Sequence, residues 1–532
     1  MKLKKIAIVR VRGSQDVEFA PSALVTALSP VLGLSRIGRL VKAGKGRTYM
    51  PAMALPYIAA LCGKADAARG IRREYILVDE PEAGFSGWNW DVDMAMFTVS
   101  TSNAPATFRV ADRARHFGVK VVMGGIHPSV MPEECLAHAD SVARGEAETI
   151  LGRMLDDYDS GTPAPIYDGG HGTTLEGLPV PAWELGVTPL VKGPGRTRRT
   201  GKAVPYAQWV VPVQTSRGCR NACAFCSTTR FQGAARRHRP VAEIADEIRT
   251  LKANGVIGPD QTVFFTDNNI VSDSDHRNGI RDTRYARSLF LALKPLGITW
   301  VGQGEITVGQ DPGLVAMMAE SGCHTLLVGL ETVSPAGLGR LGKASMKSDT
   351  YARSLEVLHD HGISNIGCFI MGLDGHGPET FQPTLDFIER HVDIPQVSVL
   401  TPYPGTPLFY QLHRDERILC DDWSLYDITH VVIKPDRLNA LDLETAYSRM
   451  ISQIYSPLAI VRRAARYARA GGRDGHALKR AGARFTSVLA PNIVYRTLST
   501  TGRGLSGQIF RGLGATGKNA VSDHASAFQA AS

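Results

Sequence analysis

Long apolar runs are missing from this sequence of 532 residues. No run approaches the ~18 consecutive apolar residues of a membrane-spanning helix. The basic start, Met1–Lys5, is followed by an apolar run that already ends at Arg10, too short for a secretory signal. Cysteine is also scarce, and three of the eight lie close together while the others are scattered, which argues against a disulfide framework. These absences predict a cytoplasmic protein.

Acidic residues are scarce near the end of the chain. Residues 456–532 carry 12 Lys and Arg against 2 Asp and Glu, so the whole net charge of +9 belongs to this tail. The remainder of the chain is close to neutral. A basic groove over the active site is therefore not expected, and we predict no nucleic-acid partner.

Apolar runs that alternate with helical patterns predict an α/β protein of two domains. Residues 1–155 have the rhythm of a doubly wound parallel sheet, whose ligands bind beyond the carboxyl ends of the strands. Residues 156–207, rich in Gly, Pro, Thr and Arg, are interpreted as a linker. Six strand–helix units in residues 208–436 predict a partial (βα)6 TIM-like barrel, open on one side. Residues 437–532 form a basic helical C-terminal region whose end is expected to be disordered.

One short segment carries the strongest chemical signal, Gln214-Thr-Ser-Arg-Gly-Cys-Arg-Asn-Ala-Cys-Ala-Phe-Cys-Ser227. Its cysteines, Cys219, Cys223 and Cys226, follow the first predicted barrel strand, where barrel active sites lie. Iron–sulfur clusters are usually held by four thiolates. Because no fourth cysteine is near, one iron would stay open, as at a reactive metal site. The alternative is a zinc site, but the only nearby further ligand, His238, has poor spacing.

This Cys-x₃-Cys-x₂-Cys segment, with an aromatic residue before the last cysteine, resembles the signature of the radical S-adenosylmethionine superfamily. The resemblance implies a [4Fe–4S] cluster whose open iron chelates S-adenosylmethionine and cleaves it to a 5′-deoxyadenosyl radical. Val328-Gly-Leu-Glu-Thr332 and Cys368-Phe-Ile-Met-Gly372 resemble further segments of that family. Glu331 is alternatively a buried ion-pair partner, and Gly372 a turn glycine. The resemblance implies that the following residues contact the cluster or S-adenosylmethionine: Phe225, Asp267, Asn269, Glu331, Phe369 and Gly372.

The N-terminal domain resembles the cobalamin-binding domain found upstream of many radical S-adenosylmethionine enzymes. The resemblance rests on Gly-Gly-Ile-His-Pro at 124–128, Gly-Glu-Ala-Glu at 145–148 and Ser-Thr-Ser-Asn at 100–103. The Asp-x-His-x-x-Gly signature of other cobalamin domains is absent, and residues 274–279 are only a near match in the wrong domain. Loss of cobalamin binding is therefore one alternative, and a local hydrogen-bonding role for His127 is another. The resemblance implies that these residues contact cobalamin: Ser100, Thr101, Gly124, Gly125, His127, Gly145 and Glu146.

Two segments after the last barrel strand, Leu400–Pro407 and Asp422–His430, resemble parts of cobalamin-type radical enzymes such as relatives of hopanoid methylases and of the bacteriochlorophyll ring cyclase. We expect their aromatic and hydroxyl groups to line the substrate pocket. The alternative is a rigid cover in which Trp423 and Tyr426 belong to the core.

Four arginines of the tail, at 462, 463, 466 and 469, recur at helical spacing. A basic amphipathic helix of this kind predicts peripheral contact with the inner membrane surface. The alternative is a solvated helix face.

These observations favour a cobalamin-dependent radical S-adenosylmethionine methyltransferase acting on an unactivated carbon of a small-molecule or lipid substrate. By resemblance, one S-adenosylmethionine yields the radical, and a second supplies the methyl group through cobalamin. The same cofactors are compatible with cyclisation, rearrangement or carbon–carbon coupling without methyl transfer. A third hypothesis is a non-catalytic cobalamin or iron–sulfur sensor. We expect an electron donor such as flavodoxin or ferredoxin.

Overall fold

The computed structural model describes residues 3–13, 52–188, 190, 210–259, 261–273, 282–340 and 348–469, together with residues 482, 484, 485, 487–489, 491, 492 and 496. The near match at 274–279 and most of the tail after Arg469 lie outside the described residues.

The N-terminal module is a six-stranded parallel sheet with the order β2-β1-β3-β4-β5-β6. Its strands are β1 (Lys5–Arg12), β2 (Glu74–Pro81), β3 (Met94–Thr98), β4 (Lys120–Gly124), β5 (Ser141–Arg144) and β6 (Ile166–Asp168). Neighbouring residues of β1 belong to separate apolar clusters, Ala7 and Val9 to one and Ile6 to another. Because successive strand residues face opposite sides, both faces of the sheet are buried, as predicted for a doubly wound sheet.

Helices cover both faces of this sheet. They are α1 (Ala54–Ala68), α2 (Ala104–His116), α3 (Ile126–Val130), α4 (Pro132–Leu136) and α5 (Leu151–Ser160). The order of the strands reverses between β1 and β3, and such a switch point opens a crevice for ligands at the carboxyl edge.

The sheet extends into the segment that was predicted as a linker. α5 runs through the predicted boundary at residue 155, and β6 pairs with β5 through three residues. β6 is too short to show a pattern, so composition alone suggested a loop.

The second module is a parallel sheet whose six strands follow one another in sequence order. They are β7 (Val210–Val213), β10 (Thr262–Phe265), β11 (Trp300–Gly304), β12 (Cys323–Glu331), β13 (Ser364–Met371) and β14 (Ile394–Val399). A two-stranded antiparallel ribbon, β8 (Ser216–Arg217) and β9 (Arg237–His238), follows β7. β7 and β14 are the two edges of the sheet, so the barrel is partial and open, as predicted.

Helices pack on the outer face of the partial barrel. They are α7 (Val241–Ala253), α8 (Arg284–Leu293), α9 (Pro312–Glu320), α11 (Ser348–Asp360) and α12 (Phe381–His391). Three shorter helices, α6 (Thr228–Gln232), α10 (Pro335–Arg340) and α13 (Pro407–Arg414), lie in the segments that follow β8, β12 and β14. The buried Trp300 ring stacks on Phe290 of α8 at 5.4 Å between ring centroids. This apolar layer fixes where the carboxyl ends of the strands lie.

Two C-terminal helices, α14 (Ala440–Ile454) and α15 (Pro457–Arg469), close the β14 edge. Tyr447 of α14 donates a hydrogen bond to the carbonyl of Val397 at 3.0 Å, and Tyr455 donates to that of Pro395. Carbonyls of an edge strand need such partners.

The arginine stripe of α15 differs from both of its sequence-based interpretations. Arg463 is fully buried and donates to Glu389, to the carbonyl of Ile454 and to Asn492. Arg466 donates to the carbonyl of Val392. These two side chains hold α15 on the barrel. Arg463 faces neither lipid nor solvent, and the Arg466 side chain is 27% exposed. Nowhere in the described part of the chain is a helix long and apolar enough to cross a membrane.

Candidate functional site

The cysteine loop, residues 218–236, begins where β8 ends and returns through β9. Gly218 has a φ of +88°, and a Cβ atom there would lie 2.2 Å from the carbonyl oxygen of Ala235. Only glycine tolerates both constraints. The amide of Cys226 donates to the carbonyl of Cys223 at 3.0 Å. The chain thus turns sharply at Gly218, and the three cysteines share one loop at the carboxyl edge of β7.

None of the three cysteines of this loop is in a disulfide, and all three are partly accessible. Burial raises the pKa of Cys219. Within the described residues, no group of three or more His, Cys, Asp and Glu side chains is placed to hold a metal ion. The donor chemistry nevertheless fits an iron–sulfur cluster, because cysteine thiolates are the usual protein ligands of such clusters and three cysteines lie on this one loop.

Asp267, which follows β10, is fully buried and is occupied by the base of the cysteine loop. Its carboxylate accepts hydrogen bonds from the amide of Thr215 at 3.0 Å, from the Thr215 hydroxyl at 2.7 Å and from the Ser216 hydroxyl. Three donors from residues that precede Cys219 leave this carboxylate committed to the loop. The structure therefore gives Asp267 a partner other than the predicted cofactor.

The two asparagines after Asp267 differ in direction. Asn269 contacts its own turn, through the Ser272 hydroxyl at 3.2 Å and the amide of Val271 at 3.3 Å. Asn268 instead contacts Gln232 at 2.9 Å and Thr228 at 3.0 Å, both of which follow the last cysteine. Asn268 was missed by sequence reasoning, and the only signal was its place between two selected residues.

Glu331 ends β12 at an irregular point in its pairing with β13. Its φ of +62° is unusual for a residue with a side chain. Burial raises the pKa of Cys368, and the Glu331 carboxylate raises it further. A Cβ at Gly329 would lie 2.5 Å from the Glu331 Oε1 atom, so that glycine leaves room for the carboxylate. Glu331 thus lies at the carboxyl edge of the barrel, beside Cys368.

Phe369 of β13 and Gly372, which follows β13, were both predicted to contact the cluster or S-adenosylmethionine, and both pack against other parts of the protein. The buried Phe369 ring packs against Phe387 of α12 at 6.3 Å, on the helix-covered side of the sheet. Ile370 faces the opposite side and packs against the same apolar cluster as Phe225. Phe369 is therefore corrected to a core residue. Gly372 has a φ of +84°, and a Cβ there would lie 2.8 Å from Leu443, which supports the turn-glycine alternative.

An apolar cap adjoins the cysteine loop. Phe225 packs against a cluster that includes Leu373, Leu400 and Tyr426. The first turn of α13 is bonded to the loop, since the amide of Leu408 donates to the carbonyl of Ala224 at 3.0 Å. Tyr426 is buried and donates to the carbonyl of Cys420, so the core alternative applies to it.

The loops after β3 and β4 meet at the carboxyl edge of the N-terminal sheet. The amide of Ser100 donates to the Asn103 side chain at 2.8 Å, in a turn that buries Thr101. Gly125 has a φ of +113°, and a Cβ there would lie 2.8 Å from the carbonyl oxygen of Val99. Gly124 makes only ordinary contact with Ala143. The glycine pair lets the two loops pack closely beside the switch point.

His127 is buried where the two modules meet. Its Nε2 atom lies 3.1 Å from the Glu134 carboxylate, and its ring is 5.6 Å from that of Trp423. The Trp423 Nε1 atom donates to the same carboxylate at 2.9 Å. The local hydrogen-bonding alternative therefore describes this histidine, and its partner Glu134 is the residue that also bonds to the second module, through Trp423.

Gly145 and Glu146 lie at the other contact between the modules. Gly145 has a φ of +67°, and a Cβ there would lie 2.4 Å from the carbonyl oxygen of Gly170. The Glu146 carboxylate accepts hydrogen bonds from Arg217 and Arg237. Burial opposes ionisation of Glu146, but bonds from Arg237 and Thr173 and the charge of Arg217 lower its pKa to about 2. Its partner is thus the base of the cysteine loop.

Comparison with known protein families finds two matches in this chain. The radical SAM superfamily profile matches residues 213–388, which include the cysteine loop and the strands up to β13. The B12 binding domain profile matches residues 43–155.

Curated relatives and solved structures share this arrangement. Bacteriochlorophyllide d C-12(1)-methyltransferase of Chlorobaculum tepidum is 28% identical over 381 residues, 71% of this chain and 77% of the relative. Bacteriochlorophyllide d C-8(2)-methyltransferase of the same organism is 29% identical over 392 residues, 71% of this chain and 81% of the relative. The radical S-adenosylmethionine methyltransferase TsrM of Kitasatospora setae, solved with cobalamin and a [4Fe–4S] cluster, has a TM-score of 0.58 at 14% identity, covering 94% of this chain and 100% of that one.

The fold, the cysteine loop and these matches agree on the class of protein and on its cofactors. The cofactors are a [4Fe–4S] cluster, S-adenosylmethionine and cobalamin. The chain is an enzyme that contains a radical SAM superfamily domain and a B12 binding domain.

Proposed function

We propose that this enzyme is a C-methyltransferase that acts on an unactivated carbon of a small-molecule or lipid substrate. The observation that carries the proposal is the direct contact between the two modules at the base of the cysteine loop. Arg217, two residues before Cys219, is bonded to Glu146 and Glu148 of the B12-binding module. A radical formed at the loop and a methyl group carried by cobalamin are needed at one substrate, which requires modules in fixed contact.

The residues of the chain divide this work by position. When bound, the cluster with S-adenosylmethionine supplies a 5′-deoxyadenosyl radical, and cobalamin supplies the methyl group. Cys219, Cys223 and Cys226 would hold the cluster as thiolates. Glu331, at the carboxyl end of β12, would contact S-adenosylmethionine. Phe225 and its apolar cap would keep water away from the reacting atoms.

The relatives of this chain are named for chemically different substrates. The two bacteriochlorophyllide d methyltransferases are named for a pigment substrate, whereas other relatives are named as a hopanoid C-2 methylase and a cytidylyl-2-hydroxyethylphosphonate methyltransferase. Because one architecture serves such different molecules, function must be read from the site and not from the fold.

Isotope transfer tests the proposal. The holoenzyme is incubated anaerobically with reductant, methyl-labelled S-adenosylmethionine and fractionated extract of its source cells. We expect label in one extract component and 5′-deoxyadenosine in proportion to it. Deoxyadenosine without labelled product would favour cyclisation, rearrangement or coupling. Absence of both products under strong reductant would favour a sensor.

We further infer a flavodoxin or ferredoxin as the electron donor and a cytoplasmic site of action. All eight cysteines are free of disulfides, as expected in a reducing compartment. Arg220 and Arg230 are exposed beside the cysteines and would attract an acidic donor. The rate of cluster reduction by flavodoxin should fall with added salt and in Arg230→Gln. Equal reduction rates in wild type and Arg230→Gln would contradict the proposed docking of the donor beside the cysteines.

The exposed Arg462 and Arg469 of α15 remain the only part of the arginine stripe, among the described residues, that is available to a membrane surface.

A further inference from the structure

The two strands that frame the cysteine loop place like charges opposite each other. In the ribbon of β8 and β9, Arg217 is the register partner of Arg237. Side chains at such opposed positions lie within contact distance, and like charges there repel. Both guanidinium groups are largely buried, with 10% and 17% of their side-chain surface exposed. The ribbon therefore needs nearby anions to form.

Those anions come from the other module, from the Gly-Glu-Ala-Glu segment after β5. Glu146 accepts two bonds from Arg237, at 2.7 and 2.8 Å, and one from Arg217 at 3.2 Å. Glu148 accepts from Arg217 at 2.6 Å and from the Tyr57 hydroxyl at 2.6 Å. Two cations and two anions leave the buried group neutral. Removal of one carboxylate leaves a buried cation without compensation.

The backbone that carries Glu146 is itself held in place. The amide of Glu146 donates to the carbonyl of Gly170, and that of Gly169 donates to the carbonyl of Arg144. A Cβ at Gly169 would lie 1.9 Å from the Glu146 carbonyl oxygen. From the same β6 loop, the His171 Nδ1 atom lies 3.1 Å from the carbonyl oxygen of Phe231, inside the cysteine loop. The carboxylates thus project from a fixed edge, and the loop rests on it at two places.

We propose that Glu146 and Glu148 are positioning residues that set the orientation of the cysteine loop relative to the B12-binding module. They act through Arg217 and Arg237, on both sides of the loop. This inference reassigns Glu146, which the family resemblance had placed at cobalamin. It rests on the proposed function in one respect, namely that the loop carries the cluster.

The test uses the holoenzymes of Glu146→Gln and Glu148→Gln, with Glu82→Gln as the matched control. Glu82 forms an exposed ion pair with Arg109 at 2.7 Å in the same module. Two rates are measured without substrate, namely 5′-deoxyadenosine formation and transfer of labelled methyl groups from S-adenosylmethionine to reduced cobalamin. We expect the first rate to stay within about twofold of wild type and the second to fall at least about tenfold. Only the second rate depends on the relative orientation of the two modules.

A spectroscopic readout separates positioning from loss of stability. Cobalt(II) in cobalamin and the reduced cluster are both paramagnetic, so pulsed electron paramagnetic resonance reports the distance between them. We expect one narrow distance in wild type and Glu82→Gln and a broadened one in both test variants. An unchanged distance distribution, or equal loss of both rates together with cluster iron, would overturn the proposal. Wild-type enzyme with a narrow distance but no methyl transfer would refute the proposed function while leaving this inference standing.

Discussion

A single buried carboxylate, that of Asp267, holds the residues that precede the cysteine loop. Asp267 accepts three hydrogen bonds from Thr215 and Ser216. Asp267→Asn keeps the shape of the side chain. It replaces one carboxylate oxygen, which accepts hydrogen bonds, with an amide NH₂ group that would face the donors of Thr215 and Ser216. We expect a loss of about 1–3 kcal/mol in the free energy of unfolding, together with lower iron content after reconstitution. Denaturant unfolding and iron analysis measure both.

Asp246→Asn is the control for this substitution, because Asp246 is exposed and pairs with Arg249 one helical turn away. Its effect should stay within about 0.5 kcal/mol. Equal stability and iron content in the two variants would contradict the role given to Asp267.

A second residue, His376, makes stability depend on pH. It lies 1% exposed in the turn between β13 and α12, with its Nε2 atom 3.0 Å from the Thr332 hydroxyl. Burial lowers the pKa of His376 to about 4 from the usual 6.5. Between these values the unfolded chain binds a proton that the folded chain does not, so stability falls as the pH drops from 6.5 to 4. The loss is on the order of 3 kcal/mol.

His376→Gln removes this titration. We expect the variant to lose less stability than wild type between pH 6.5 and pH 4, as measured by denaturant unfolding at a series of pH values. His116→Gln, on the exposed end of α2, should follow the wild-type curve. If the curves of wild type and His376→Gln run parallel, burial of a neutral His376 is disproved.

At the scale of elements, adjacent arginines of α15 have opposite environments. Arg463 is fully buried and bonded to Glu389, Ile454 and Asn492, whereas Arg462 is exposed. Arg463→Ala should cost about 3 kcal/mol and speed hydrogen exchange in α14 and α15. Arg462→Ala should change stability by less than about 0.5 kcal/mol. The reverse order would mean that α15 is not docked as described.

The positions of the strands could be predicted from the sequence more readily than the side of the sheet on which each side chain lies. All six barrel strands were predictable, because each is a short apolar run between helical patterns. β5 and β6 could not be located from the sequence, since four-residue and three-residue strands show no period. The direction of Phe369 was unpredictable because β13 has apolar residues on both faces, as is usual in parallel strands.

The cysteine loop could also be predicted from the sequence, because its three candidate ligands lie close together in the chain. The partners of Asp267 and Glu146 were not, since they join residues 52 and 91 positions apart. Such contacts depend on how the two modules meet, and no local pattern records that.

At the scale of the whole molecule, two of the polar contacts between a radical-forming module and a cobalamin module lie at separate places. One joins Glu146 and Glu148 to the base of the cysteine loop. The other joins Glu134 to Trp423, beside His127. Two separated contacts restrict rotation of one module on the other, which a reaction that needs two cofactors at one substrate requires.

The central claim is that Cys219, Cys223 and Cys226 hold the cluster in a chain that also binds cobalamin. The most direct measurement is metal analysis and 5′-deoxyadenosine formation after anaerobic reconstitution of wild type and the triple alanine variant. We predict ~4 iron atoms and ~1 cobalt atom per wild-type chain. The variant should keep its cobalt but lose the iron and the deoxyadenosine. Undiminished deoxyadenosine formation by the triple variant would contradict the account.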